Sequence, residues 1–249
     1  TLMYTYQILI EYDGSNFVGW QIQKNGISVQ EILEKALGKL LKKKRVNIYG
    51  SGRTDAGVHA FEQSAHFKVE QIVKNKKNFL KSLNFFLKKH LISVLDIKKK
   101  TNTFHARFSA KKRMYKYFIK NRTSPLSLEK DKAWHVRKKL NLDLMTKGAK
   151  ILKGTKDFST YRASSCTAKN PVRSLNEVKI KNIKDKIEIS FSSRSFLQQQ
   201  VRSMVGCLKY LGEKKWTLKK FKQVMLSKKR ANCAPPAPAH GLYLFKVTY

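Results

Sequence analysis

Acidic residues are scarce in this chain. Its 249 residues include 16 Asp and Glu against 53 Lys and Arg, which gives a formal net charge of +37. A compact chain this basic repels itself, and binding to a polyanion relieves that repulsion while it releases condensed counterions. We therefore expect a polyanionic partner. Lysines also recur throughout the predicted helices and strands, as at residues 42–44 and 98–100, so a solvated basic surface is the alternative.

Cysteine is scarce as well. Cys166, Cys207 and Cys233 are odd in number, far apart and in no Cys-x-x-Cys pair, which indicates neither a disulfide framework nor a zinc site. We expect each to be a reduced, packed thiol. His59 follows Asp55 by four residues, but no second histidine follows closely, so we expect no metal. Phosphate-loop and dinucleotide motifs are absent, and we expect no cofactor.

Long apolar runs are absent too. No stretch of about 18 apolar residues occurs, and the first residues lack the charged-then-apolar order of a signal peptide. We therefore expect a cytoplasmic protein that does not span a membrane. Hydrophobic residues make up 41% of the chain, which is enough for one large core or two linked ones.

The first part of the chain predicts an α+β half. Tyr4 to Tyr12 is β-rich and is closed by a turn at Asp13-Gly14, and Ser28 to Glu31 fits a capping box before a run with helical spacing. The order of elements is strand, helix, two strands, helix, strand, which is the split ferredoxin-like order. The predicted strands are residues 4–12, 46–51, 63–69 and 92–97, and the predicted helices start at residue 28 and span 76–88.

The second part predicts a similar plan, although no repeat is detectable in the sequence itself. Asn141 is expected to cap one helix, and Gly212 is expected to end another. We expect an N-terminal domain of residues 1–103 and a C-terminal domain of residues 104–249. The predicted strands are residues 113–120, 176–181, 186–191 and 242–249, and the predicted helices are 142–152, 198–211 and 218–225.

One loop, residues 51–59, combines a carboxylate with glycines and a cation. It reads Ser-Gly-Arg-Thr-Asp-Ala-Gly-Val-His and follows a β-type run. Gly52 and Gly57 let the backbone turn tightly and let a bulky substrate approach. Arg53 and Thr54 supply donors that favour an ionised carboxylate at Asp55. Local chemistry alone leaves two interpretations open, a catalytic aspartate or a turn between strands.

Several strings elsewhere in the chain accompany this loop. With the loop, they are Gly52-Arg-Thr-Asp-Ala-Gly-Val-His59, Glu11-Tyr-Asp-Gly14, Gly19-Trp-Gln21, Phe104-His-Ala-Arg-Phe108, Arg113-Met-Tyr-Lys-Tyr117, Asp157-Phe-Ser159, Met204-Val-Gly206 and Gly241-Leu-Tyr-Leu244. Together they resemble the tRNA pseudouridine synthase A family, and the similarity covers nearly the whole chain. This resemblance implies a pseudouridine synthase fold, in which two ferredoxin-like α+β halves share a mixed, largely antiparallel central sheet with the cleft between them. It also implies that Asp55 is the nucleophile.

The resemblance implies supporting roles for three more residues. Arg202 matches the cation that the second half brings to the nucleophile, where a guanidinium fixes the carboxylate rotamer. Helix periodicity alone would make Arg202 an exposed helix residue. Tyr115 matches the tyrosine placed against the target base, and a half-buried strand tyrosine is its alternative. Arg53 resembles the arginine that fills the gap left by the flipped nucleotide.

Two further segments bear on RNA binding and on proton transfer. The resemblance places part of the cleft wall and backbone grip at Phe104, His105, Arg107 and Phe108, with a purely structural role in the core as the alternative for Phe104 and Phe108. The family often has histidines just before the second-half arginine, whereas this chain has Gln198-Gln199-Gln200. Glutamine can hydrogen-bond phosphate or sugar, but it cannot shuttle a proton.

The function implied by the resemblance is a cofactor-free isomerase. It would convert uridines 38, 39 and 40, on the 3′ side of the tRNA anticodon stem-loop, to pseudouridine, and it would act as a homodimer on the anticodon arm. Whether the aspartate attacks the sugar C1′, adds to uracil C6 or removes the 2′ proton stays open. The alternatives are a non-catalytic tRNA-binding protein or RNA chaperone, and an aspartate-dependent hydrolase or phosphotransferase.

Overall fold

The computed structural model describes residues 2–249, which form two compact units. The first unit runs to Lys111 and also takes in Tyr243–Tyr249, and the second unit is Lys112–Leu242. The domain boundary expected after residue 103 stays a prediction. No helix within residues 2–249 is both long and apolar enough to span a membrane.

The first unit is a sheet with two helices. Its strands are β1 (Tyr4–Tyr12), β2 (Tyr49–Gly50), β3 (His59–Val69), β4 (Ile92–Lys100) and β10 (Leu242–Thr248), and its helices are α1 (Val29–Leu40) and α2 (Lys76–Leu87). Within the sheet the strand order is β4-β1-β3-β10, with β2 paired to β3, and every pairing is antiparallel apart from that of β3 with β10.

Local signals in the sequence explain both helices. The Ser28 side chain accepts the Glu31 N–H at the start of α1, and the Asn75 side chain accepts the Asn78 N–H at the start of α2. Each helix then repeats apolar residues at helical spacing, so that one face is buried. The fully buried side chains of this core include Ile8, Ile10, Leu33, Phe67 and Leu83.

The second unit is an antiparallel sheet with three helices. Its elements are β5 (Lys112–Asn121), β6 (Trp134–Val136), β7 (Gly154–Asp157), β8 (Val172–Ile183), β9 (Lys186–Ser193), α3 (Leu142–Leu152), α4 (Gln200–Gly212) and α5 (Leu218–Leu226). The strand order is β5-β9-β8-β7, and β6 adds to β5 in parallel. Helix α3 packs on α4, α5 and β8. The fully buried side chains of this core include Tyr117, Phe158, Tyr161, Phe191 and Phe221.

The predicted α+β class, with mixed and largely antiparallel pairing, is confirmed. Two local predictions were wrong. The strand expected at residues 46–51 is only Tyr49–Gly50, because the Gln30 and Glu34 side chains of α1 bond the backbone of Ile48 in place of a strand partner. Helix α4 begins at Gln200 because Gln199 has a φ of 59°. The short strands β6 and β7 were not predicted.

Candidate active site

The loop that carries Asp55 is anchored to β3 at its start. The Ser51 N–H donates to the Ser64 carbonyl at 2.8 Å, and the Ser51 hydroxyl donates to Gln63 Oε1 at 2.6 Å. The buried Gln63 amide in turn donates to the Gly52 carbonyl at 3.0 Å. One glutamine therefore holds the loop at two successive residues. Nothing in the sequence marks Gln63 for this role, because its partners lie 11 and 12 positions away.

The backbone around Asp55 is fixed by the segment that follows β1. Gly19 forms an antiparallel bridge with Asp55, and the Trp20 N–H donates to the Thr54 carbonyl at 3.1 Å. Gly19 has a φ of 115°, and a Cβ there would lie 2.5 Å from the Thr54 carbonyl oxygen. Only glycine fits this close approach without strain. The Asp55 carbonyl accepts the Val58 N–H at 3.1 Å, which closes the turn.

The side chains of the loop differ in exposure. Arg53 is exposed and Asp55 is half-buried, whereas Thr54 is buried. The Thr54 hydroxyl lies 2.8 Å from the Tyr12 hydroxyl. The loop thus presents the Asp55 carboxylate and the Arg53 guanidinium at the surface of the first unit. Thr54, which lies between them, anchors the loop through its hydroxyl contact with Tyr12.

His59, which ends the loop, clamps it to the turn after β1. Its Nδ1 accepts the Gly14 N–H at 2.9 Å and lies 3.2 Å from an Asp13 carboxylate oxygen, and the residue is buried. A Cβ on Gly14 would lie 1.9 Å from the Val58 carbonyl oxygen, so the two segments touch through their backbones. The string Glu11-Tyr-Asp-Gly14 was matched in the sequence, but its contact with His59 was not foreseen.

Tyr115 and Arg202 lie in the second unit. Tyr115 belongs to β5, is 9% exposed and meets the Phe196 ring edge-on at 5.2 Å between centroids. Arg202 is in the first turn of α4, and its Nε donates to the Ala237 carbonyl at 2.8 Å. Burial raises the pKa of the neighbouring Tyr117 hydroxyl, and the charge of Arg202 acts in the opposite direction.

The three glutamines before Arg202 build the start of α4. The Gln200 side chain is buried and accepts the Leu197 N–H at 2.8 Å. The Gln198 carbonyl accepts the Ala163 N–H at 2.9 Å. Gln199 takes the left-handed conformation that turns the chain into the helix. These contacts give the glutamines a structural role.

A row of aromatic rings, called here the aromatic row, starts two residues before the loop. It consists of Tyr49, His66, His105 and Phe108. Ring centroids are 5.2 Å apart for Tyr49 and His66, 4.6 Å for His66 and His105, and 4.4 Å for His105 and Phe108. Tyr49 is 48% exposed and Phe108 is 72% exposed. The exposed Arg107 guanidinium lies 5.6 Å from the Phe108 ring centre.

The turn that carries His105 and Phe108 is tied to β3 by His66. The His66 Nδ1 accepts the Ala106 N–H at 3.0 Å, and His105 Nδ1 accepts the Arg107 N–H at 3.1 Å. Burial lowers the pKa of His66 to about 4, with further lowering by the charges of His105 and Lys68. Burial also lowers the pKa of His105, helped by Arg107 and Lys68. Both rings are therefore neutral near pH 7.

The sequence-predicted RNA-binding residues thus separate into two kinds. His105 and Arg107 lie at the surface of the aromatic row, whereas Phe104 is 9% exposed and packs edge-on against His66. Sequence reasoning did not find Tyr49 and His66, because they reach the row through the pairing of β2 with β3.

Across residues 2–249, no group of three or more His, Cys, Asp or Glu side chains is placed to hold a metal ion.

Comparison with known proteins identifies the class to which this fold and loop belong. The tRNA pseudouridine synthase family matches residues 8–109 and 149–249. The chain is 61% identical over 247 residues to tRNA pseudouridine synthase A of Pelagibacter ubique, a match that covers 99% of this chain and 100% of the relative. It is 44% identical to the proteins of the same name from Parvibaculum lavamentivorans, over 98% of both chains, and from Ehrlichia ruminantium, over 98% of this chain and 99% of the relative.

The chain therefore belongs to the tRNA pseudouridine synthase A family. The predicted family and the predicted enzyme class, an isomerase, are confirmed.

Proposed function

We propose that this chain converts uridine to pseudouridine at positions 38, 39 and 40 of tRNA, with Asp55 as the nucleophile and without a cofactor. The observation that carries the proposal is the loop itself: a half-buried carboxylate whose backbone is fixed by Gly19 and by its own turn. Such fixation holds a nucleophile in place before the substrate arrives. The names of the relatives support tRNA as the substrate.

The reaction requires little chemistry from the protein. The glycosidic C1′–N1 bond breaks, the uracil turns, a C1′–C5 bond forms, and C5 loses a proton while N1 gains one. No electrons are exchanged with a second molecule, so one carboxylate suffices.

Tyr115, Arg202 and Arg53 are proposed to support this step. We assign Tyr115 to stacking against the extruded base and Arg202 to charge support of the Asp55 carboxylate. Arg53, exposed two residues before Asp55, is suited to fill the space that the extruded nucleotide leaves. The Arg202 bond to the Ala237 carbonyl supports a fixed position for its guanidinium.

RNA binding is proposed to involve the aromatic row. Bases stack on exposed aromatic rings, and each such contact is worth about 1–3 kcal/mol. Phe108 and Tyr49 supply exposed rings, and Arg107 and Lys68 supply cations beside them for phosphate. Because β2 leads directly into the Asp55 loop, we propose that RNA held on the row extends toward the Asp55 carboxylate. Phe104 is proposed to hold the His66 ring in place through the edge-on packing of the two rings.

The quaternary structure and the compartment are proposals as well. We propose a homodimer in the cytoplasm whose tRNA contacts both subunits. Light scattering at several protein concentrations, with and without tRNA, tests the dimer. A monomer under all of these conditions would exclude it.

The decisive experiment incubates the protein with an unmodified tRNA transcript in the absence of metal and cofactor, followed by detection of pseudouridine. We expect product with the native chain and essentially none with Asp55→Asn. Affinity for tRNA should change by less than about tenfold, or 1.4 kcal/mol, because the basic surface is unchanged.

Asp143→Asn is the matched control, because it removes an exposed carboxylate in the first turn of α3 and should keep full turnover. Full turnover by Asp55→Asn would remove Asp55 from its role. Binding without product by the native chain would favour the non-catalytic tRNA-binding protein. Pseudouridine should be mapped in the RNA of cells that lack the protein. We expect it to be lost at positions 38 to 40 of tRNA and retained in the T-arm and in ribosomal RNA.

A further inference from the structure

Two of the three cysteines meet in the second unit. Cys207 lies in the middle of α4 and is fully buried, whereas Cys233 follows the short 3-10 turn Arg230–Asn232 and is partly exposed. Their Sγ atoms are 3.5 Å apart although the residues are 26 positions apart in sequence. A disulfide bond measures roughly 2.05 Å. The two thiols are therefore reduced, in direct contact, and need to approach by only about 1.5 Å to form a bond.

The two sulfurs have unequal surroundings. Arg230 Nη1 lies 3.9 Å from Cys233 Sγ and is oriented by donating to the Ser203 hydroxyl. The hydrogen bond from Cys207 lowers the pKa of the Cys233 thiol; burial opposes this, and the Arg230 charge lowers the pKa further. The same hydrogen bond and burial raise the pKa of Cys207. Cys233 is thus the acidic thiol, and Cys207 is the one that keeps its proton.

A phenol completes the cluster. Tyr161 is fully buried, and among residues 2–249 its hydroxyl has no hydrogen-bond partner. Burial raises its pKa, and the nearby sulfurs of Cys207 and Cys233 add to this rise. The hydroxyl therefore stays protonated within the buried surroundings of the sulfur pair.

We propose that Cys233 and Cys207 form a peroxide-reactive site, in which Cys233 is oxidised first and Cys207 then closes a disulfide. The combination of a partly exposed cysteine, a cation beside its sulfur and a second thiol in contact is that of reactive dithiols. None of the residues proposed for the uridine reaction belongs to this cluster. The inference therefore stands whether or not the chain modifies tRNA.

The two steps balance with a peroxide as the oxidant. In the first, the Cys233 thiolate attacks one peroxide oxygen; an S–O bond forms, the O–O bond breaks, and the leaving oxygen takes up a proton as water or an alcohol. In the second, the Cys207 sulfur attacks the Cys233 sulfenic acid; an S–S bond forms, the S–O bond breaks, and hydroxide leaves with the Cys207 proton as water. The sulfur pair loses two electrons, and the peroxide gains them.

The disulfide would join two elements that already meet at Arg202. Gly206, beside Cys207, is so close to the chain after Cys233 that an added Cβ would lie 2.1 Å from the Pro235 carbonyl oxygen. Ala237 exchanges two bonds with Arg202: its N–H donates to the Arg202 carbonyl at 2.9 Å, and its carbonyl accepts Arg202 Nε at 2.8 Å. Oxidation places a covalent link beside these contacts.

The test treats the native protein with stoichiometric hydrogen peroxide at pH 7 and maps the thiols by peptide mass spectrometry. We expect a linked Cys207–Cys233 peptide pair that a dithiol reductant reverses, while Cys166 reacts more slowly. Cys166 is the internal control because it is also partly exposed but has no second thiol in contact among the described residues. In denaturant the preference for the pair should disappear. Equal oxidation of all three native thiols, or selective oxidation of Cys166, would overturn the site.

Variants separate the two steps. Cys207→Ser should stop the reaction at a Cys233 sulfenic acid that a dimedone probe captures, with no linked peptide. Arg230→Met should slow the oxidation of Cys233 by at least several-fold. Lys229→Met is the matched control, because Lys229 is an exposed cation one residue earlier with no contact to either sulfur in the described structure. An unchanged oxidation rate in Arg230→Met, or an equal slowing in Lys229→Met, would count against the proposal.

Discussion

At the scale of single residues, the position of Asp55 depends most directly on Gly19. Its φ of 115° and its contact with the Thr54 carbonyl leave no room for a side chain. We expect Gly19→Ala to cost about 1–3 kcal/mol in the free energy of unfolding. Because the strain falls on the loop, turnover should drop by more than tenfold in the fraction that is folded. Thermal unfolding and the pseudouridine assay measure the two effects.

A second glycine provides the control for that strain. Gly154 has a φ of 104°, but a Cβ there would meet only the flexible end of Lys156 in the second unit. Gly154→Ala should therefore lose stability and keep its turnover. If Gly19→Ala kept full turnover, the bridge would not position the carboxylate.

Residue-level prediction from sequence had a clear limit at this site. Asp55, Arg53 and the two loop glycines could be chosen because they are contiguous and chemically distinctive. Gln63 and Tyr12 could not, because their roles arise from hydrogen bonds made across the sheet to residues far away in the chain.

At the scale of elements, the turn at residues 104–109 depends on β3 through His66. Unfolded histidine binds its proton near pH 6.5, whereas folded His66 does so only near pH 4. Protons therefore favour the unfolded chain, and the contribution of His66 is complete above pH 6.5 and is lost as the pH falls toward 4. A shift of roughly 2.5 pH units sets an upper limit of about 3.4 kcal/mol on this loss, and screening by solvent reduces it.

His66→Asn tests this dependence, because asparagine keeps an acceptor for the Ala106 N–H and does not titrate. Chemical unfolding at several pH values should show a smaller fall in stability between pH 6.5 and 4 for the variant than for the native chain. If the free energy of unfolding fell equally with pH in His66→Asn and in the native chain, His66 would not control the loss of stability in acid.

Elements with strong local signals were predictable, and the others depended on their neighbours. Helices α1 and α3 begin where Ser28 and Asn141 predict, because each cap is a contact within three residues. The strand at residues 46–51 failed because apolar side chains indicate burial but not pairing, and α1 supplies the partners of Ile48. Strand β6 is only three residues long and is defined by its pairing with β5.

At the scale of the whole molecule, the net charge of +37 is the property with the widest effect. If many cations contact phosphates, the logarithm of tRNA affinity should fall by about 0.9 per neutralised phosphate against the logarithm of salt concentration. Binding measured by fluorescence anisotropy at several salt concentrations gives this slope. If the affinity for tRNA did not change with salt concentration, the basic side chains would serve only to keep the protein surface hydrated.

Two lysines distinguish local from general charge effects. Lys68→Gln removes a cation beside the aromatic row and should reduce the slope by about one unit. Lys35→Gln is the control, because Lys35 lies on α1 and is already paired with Glu31 at 2.6 Å. Equal changes in both variants would argue against a role for the row in RNA binding.

The parallel pairing of β10 with β3 means that the first unit is completed only at the end of protein synthesis. Tyr243 and Leu244 pair with His59 and Ala60, directly after the Asp55 loop, yet the ribosome makes them only after the entire second unit. At a synthesis rate of about 5–20 residues per second, the loop waits many seconds for the strand beside it. A nascent chain stalled before Tyr243 thus contains the complete sequence of the Asp55 loop but lacks β10, the strand that pairs with β3 where the loop ends. The time at which the last few codons are translated therefore sets the time at which the Asp55 loop gains the strand beside it.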